Sequence, residues 1–259
     1  MNISWSSCLK TLFICGLLLA STSCQNKQEK TDANKEISVQ SPYDDWNRYQ
    51  YKNMVFRYPQ RHIISDSINV FAKKYEAMMN RDAQILFIDP PNDTITIYFY
   101  TGMGQAREIV DKDFPYVSGD SIHFWGHIHF GVPMMEYMIN KWSPVESRHY
   151  FIKNGLLALM DATGRNYHEI TDDYQQRGIY IPLKELAGDT NTTVWWGWDQ
   201  AIQGASFVDF VMFKYGPESL KIMYESPVSF DSTVNGLFEI SVDSLEKEWL
   251  SVVRQAIGK

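Results

Sequence analysis

The apolar positions of this chain change period once between residues 45 and 259, and that change sets out an architecture. YKNMVFRYP (51–59) and TITIYFYTG (94–102) are rich in β-branched and aromatic residues and are bounded by Pro, Asn, Asp and Gly, which predicts strands. Between them, DSINVFAKKYEAMMNRD places Ile68, Phe71, Ala72, Tyr75, Met78 and Met79 on one helical stripe. GDSIHFWGHIHFG predicts a further strand or hairpin. Beyond it the period is helical, over 133–142, 147–162, 197–215, 217–225 and 242–257, with Ser241 or Asp243 placed to start the last helix. Strands first and helices afterwards is the pattern of an α+β domain. The expectation is a small mixed N-terminal sheet with one packed helix, followed by a mostly helical C-terminal half.

The first 23 residues stand apart. LKTLFICGLLLA (9–20) is an apolar run too short for a stable bilayer span, and it ends in the small residues of STSC, the build of a signal peptide. LLLASTSC resembles the lipobox of bacterial lipoproteins, with Ser21 where Leu is usual. That resemblance implies that Cys24 becomes the lipidated first residue of a protein held at the bacterial cell envelope, on the periplasmic face or the cell surface. Ordinary secretion is the alternative. The three cysteines are Cys8, Cys15 and Cys24, so a chain processed at Cys24 keeps one thiol and no disulfide. An unpaired thiol in an oxidising compartment invites oxidation, and a thioether to lipid removes it. Residues 24–44 are polar and without period, a flexible tether, and the folded domain is expected over 45–259.

Composition narrows the chemistry. With 44% hydrophobic and 21% charged residues in 259, the chain can bury one sizeable core. A net charge of -7 without a basic stripe excludes a nucleic-acid partner, which needs clustered Lys and Arg. TGMGQAR has G-x-G but no third Gly, and no Ser lies in a G-x-S-x-G frame, so neither a phosphate loop nor a nucleophile elbow is present.

The most informative stretch is GVPMMEYMINKWSPVESRHYFIKNGLLALMD (131–161). An H-E-x-x-H helix sets two His at i and i+4 on one face with the Glu as general base, and a third zinc ligand comes from a later helix. Here the five positions read Met135, Glu136, Tyr137, Met138 and Ile139. The order of elements, the FIKNGLLALMD helix, the later pair in ASFVDFVMFKYGPESLKIMYE and the closing FEISVDSLEKEWLSVVRQ together resemble the peptidase-MA-like family of gluzincin metallopeptidases, over most of residues 50–256. The resemblance implies a zincin-like fold, with the ligand positions at Met135, Ile139 and Asn154. None of those three side chains makes a zinc site, and a carboxylate such as Glu136 has no metal-bound water to activate without one. The implied protein is therefore a zinc-free relative with no cofactor, which keeps its cleft for a peptide, glycan or envelope protein.

Two other groups bear on this. His123, His127 and His129 share one parity on an unbroken strand, which makes them an alternative zinc site for a working hydrolase; interleaved with Phe124, Trp125 and Phe130, they also suit an aromatic face with hydrogen-bonded imidazoles. His149 and the His168–Glu169 pair are candidates to approach in space. Trp195, Trp196 and Trp198 crowd one segment and suit either a stacking platform or a packed lid. Arg148 and His149 complete the candidate binding residues, with Arg148 placed to pair with Glu136.

Overall fold

The computed structural model describes residues 41–112, 116–125, 132–161, 164–188 and 198–258, and the backbone only of Trp198. The expected signal peptide, Cys24, the expected tether up to residue 40, His127, His129, Trp195 and Trp196 lie outside the described residues.

A five-stranded mixed sheet carries the N-terminal half. Strands β1 (Asn47–Tyr51) and β2 (Met54–Tyr58) form an antiparallel hairpin whose turn places Lys52 at φ 52°. The single strand expected over 51–59 is thus two, because the chain reverses at Lys52 and Asn53. Helix α1 (Ile68–Leu86) then leads to β3 (Ile95–Tyr100), parallel to β2. Helix α2 (Met103–Val110) follows, then the short β4 (Tyr116–Ser118), antiparallel to β5 (Ser121–Trp125), which lies parallel to β3. The sheet order is β1-β2-β3-β5-β4.

The rest of the described chain is helical: α3 (Val132–Trp142), α4 (Tyr150–Leu159), α5 (Tyr167–Gln176), the short α6 (Leu183–Leu186), α7 (Trp198–Tyr215), α8 (Pro217–Glu225), α9 (Phe230–Phe238) and α10 (Val242–Ala256). The α+β class and the helical C-terminal half match the sequence pattern. Helices α2, α5, α6 and α9 were not among the expected elements, and α2 means that the sheet half holds more than one helix. No described helix is long and apolar enough to cross a membrane.

Pleat decides the two faces of the sheet. Met54, Phe56, Ile95, Ile97, Phe99, Ile122 and Phe124 point to α1, whose Ile68, Ala72, Tyr75 and Met79 are buried as the stripe predicts. Tyr98, Tyr100 and His123 point the other way and meet the segment before β1. Tyr43 lies on Tyr98 with ring centroids 4.5 Å apart, and its hydroxyl bonds that of Tyr100 at 3.0 Å. Ser41 and Asp44 close a turn there, so the compact unit runs Ser41–Lys259 and begins ahead of the expected Asp45.

One hydrophobic core joins the halves through α3, whose Met134, Met135, Tyr137, Met138 and Ile139 are all buried in it. The closest helix crossing is α4 on α7. A Cβ on Gly155 would lie 2.4 Å from the Gly204 carbonyl carbon, and one on Gly204 would lie 2.6 Å from the Phe151 oxygen. Only glycine lets these backbones approach so closely.

Candidate functional site

The residues that the family resemblance maps onto zinc ligands are placed by α3 and α4. Met135 and Ile139 are 0% and 1% exposed and belong to the hydrophobic core. Asn154 is half-buried on α4. This set does not fit zinc: two of its members are apolar side chains already packed against carbon, and the third is a neutral amide. Glu136 sits on the half-buried edge of α3, where burial holds its carboxyl above the usual range; the Lys153 charge opposes that shift and Glu146 adds to it. Lys153 is itself paired with Glu146 at 3.3 Å. Arg148 does not pair with Glu136. Its guanidinium donates to the Pro227 carbonyl, which ties the segment before α4 to the segment after α8. His149 is buried at the start of α4 with its ring edge-on to Phe230 at 5.6 Å. Neither residue forms an open binding surface with Glu136.

His123 takes its place on the second face of the sheet. Its ring stacks on Tyr98 at 4.7 Å with planes 7° apart, and Nδ1 bonds the Tyr100 hydroxyl at 2.7 Å. Tyr100 passes the bond on to the half-buried Tyr43, so three residues from three segments form one hydrogen-bonded line. Burial pushes the imidazole down to about 4, which keeps it neutral. The rings around His123 are Tyr98, Tyr100 and Tyr116 from other strands, whereas its neighbour Phe124 packs on Phe99 in the core on the opposite face. Among the described residues no group of three or more His, Cys, Asp or Glu is placed to hold a metal ion.

A second constellation was not anticipated. A cavity of about 410 Å³, open to solvent, lies between α1, the end of α4, the start of α5 and α7. It is lined by Arg81, Asp161, Arg165, His168 and Asp209, with Ile85, Leu159 and Tyr167 as its apolar wall. Asn166 caps α5 by accepting from the Glu169 amide, which fixes the turn that presents His168. His168 Nδ1 lies 2.8 Å from Ser206 Oγ and Nε2 lies 3.0 Å from Asp209 Oδ2. Behind them the Trp249 indole donates to Ser206 Oγ at 3.0 Å. His168 is engaged by Ser206 and Asp209, while His149 lies edge-on to Phe230.

An indole N–H only donates, so Trp249 fills one lone pair of Ser206 Oγ, the Ser206 hydroxyl and His168 Nδ1 share the next bond, and Nε2–H donates to the Asp209 carboxylate. Ser, His and Asp are the members of a nucleophilic triad, but Ser206 is 0% exposed and sits behind the ring as seen from the cavity. No substrate reaches its oxygen. What reaches the cavity is the Asp209 carboxylate, half-exposed and held from behind.

Arg81 shows a similar arrangement. Its Nε and Nη2 donate to Asp82 Oδ1 at 2.9 and 2.6 Å, and Nη2 also donates to the Met160 carbonyl. Asp82 is fully buried and its Oδ2 has no hydrogen-bond partner among the described residues; burial lifts its carboxyl to about 6 against the pull of Arg81. The sequence signal for this site was thin. Ser206 and Asp209 share a face of α7 at i and i+3, and Asn166-x-x-Glu169 announces a helix start, but nothing along the chain joins α1 to α5 and α7.

No protein-family model matches the sequence, and no curated protein is similar to it.

Proposed function

We propose that the protein is a bacterial envelope lipoprotein, anchored through Cys24, whose zincin-like domain has given up zinc chemistry and acts by binding a peptide, glycan or envelope protein. The observation that carries this reading is the burial of Met135 and Ile139 at the positions that the family resemblance assigns to metal ligands. A catalytic zinc site needs side chains that turn a lone pair toward an open position. Here the same two positions turn methyl and thioether groups into the core, and the frame they support remains closed and well packed. Glu136 has a raised carboxyl, and its neighbours at the ligand positions, Met135 and Ile139, offer no lone pair that would hold a metal beside it.

The test is a metal assay joined to a hydrolysis assay. Purified protein, made without a His-tag and dialysed against trace zinc, is expected to carry no stoichiometric metal by plasma mass spectrometry. It is also expected to leave a mixed peptide library intact. Stoichiometric metal, or hydrolysis that disappears in Glu136→Gln, overturns the reading. The anchor is tested separately: Cys24→Ser is expected to move the protein from the membrane fraction to the soluble one.

A further inference from the structure

We infer that the cavity between α1, α4, α5 and α7 is a binding site for a small zwitterion of the peptide or amino-acid type, with its ammonium on Asp209 and its carboxylate on Arg81 and Arg165. The site is separate from the former ligand positions on α3 and α4 and does not depend on the reading given there.

The first argument is orientation. Asp209 is on the surface of α7, yet its carboxylate is held by a hydrogen-bond chain that runs through His168 and Ser206 to Trp249 in the core. Ser206 and Trp249 are both 0% exposed. A surface carboxylate gains little stability from a single partner, whereas a backed chain of this kind fixes a side chain for contact with something else. The chain occupies Oδ2, and the Asp209 side chain stays half-exposed where it lines the cavity. Both His168 nitrogens are engaged, one by Ser206 and one by Asp209, so the ring positions the carboxylate.

The second argument is complementarity. Arg81, which also lines the cavity, spends Nε and Nη2 on Asp82 and Met160, which leaves the two N–H donors of Nη1. Arg165 lines the same cavity and lies 3.9 Å from Asp161. The Nη1 edge of Arg81 matches a carboxylate, and a fixed carboxylate matches an ammonium. A lone anion would meet Asp161 and Asp209, and a lone cation would meet two arginines, so a ligand carrying both charges is selected. The volume, about 410 Å³, is in the lower range of small-molecule sites and takes a molecule of roughly tripeptide size.

The experiment is calorimetric titration of the full-length protein in mild detergent with trialanine and with a mixed tripeptide pool with free termini. Each is then repeated as its N-acetylated and its C-amidated form. Free termini are expected to bind one to one, and either block is expected to weaken binding at least tenfold. Asp209→Asn is expected to cost the same factor with free peptide and nothing further with acetylated peptide; Arg165→Gln does the same toward amidation. His168→Gln tests the positioning role, because it should weaken binding of the free amine and leave the amidation penalty unchanged. No saturable binding of either free probe overturns the proposal. So does equal binding of blocked and free forms, or Asp209→Asn without effect in a protein whose far-UV spectrum is unchanged.

Discussion

At the scale of single residues, two buried ionisable groups pull the pH dependence of stability in opposite directions. His123 holds a proton only below about 4 when folded, but an unfolded histidine does so below roughly 6.5. Between those values the unfolded chain binds more protons, so this residue withdraws stability as pH falls from about 6.5 to 4, up to about 3 kcal/mol in all. Asp82 keeps its proton up to about 6, whereas its ordinary value is 3.8, so here the folded chain binds more protons and stability declines as pH rises through that window. Asp82→Asn mimics the protonated acid. Its effect is expected to be about 3 kcal/mol more favourable at pH 7 than at pH 3.5, read from urea midpoints at the two values. His123→Phe keeps the ring on Tyr98 and loses the bond to Tyr100. It should cost about 1 kcal/mol at pH 7 but flatten the acid limb, and an unchanged slope between pH 6.5 and 4 would refute the buried neutral imidazole.

Among the elements, the crossing of α4 on α7 is where the chain tolerates least. Gly155→Ala drives a methyl to 2.4 Å from the Gly204 backbone, and neither helix can shift without disturbing Phe151, Phe207 and the core below. A loss of about 3 kcal/mol or more is expected in thermal unfolding, against a gain of a few tenths for an exposed helical Gly→Ala such as Gly236, which meets no atom within 4 Å. The same two helices show what the sequence can and cannot disclose. The apolar stripes of α1, α3, α7 and α10 are long and periodic, so their existence and type follow from spacing. Helix α5 buries Tyr167, Thr171, Asp172 and Tyr174, a stripe made of polar and amphipathic residues, which a hydrophobic pattern does not register. Helix α2 buries little but Ala106 and opens on G-x-G, which reads as a turn. The Asp209 site is invisible for a different reason. Its members come from α1, the end of α4, α5, α7 and α10, and only tertiary packing, of the main core and of the smaller cluster of Ala158, Tyr167, Tyr174, Ile202 and Ala205, decides that these ends meet.

For the molecule as a whole, the segment ahead of β1 matters more than its polar composition suggests. The core runs without a break from Met54 on the sheet to Val253 on the last helix, so the two halves are expected to unfold together. The second face of the sheet lies outside that core and is covered by Tyr43 and Trp46, the latter edge-on to Tyr100 at 5.2 Å. A protein that starts at Asp45 lacks Tyr43 and with it the ring on Tyr98 and the hydrogen bond to Tyr100. Losing a half-buried aromatic and one shared hydrogen bond should cost about 2 kcal/mol relative to a protein that starts at Ser41. The loss has a second signature, because Tyr43 also helps keep water from the Tyr100–His123 pair. Once it is gone the imidazole is easier to protonate, so the histidine resonance should titrate closer to its ordinary value and the acid sensitivity of the shortened protein should shrink. Equal midpoints for the two proteins, with an unmoved His123 titration, would mean that residues 41–44 rest on the sheet without supporting it.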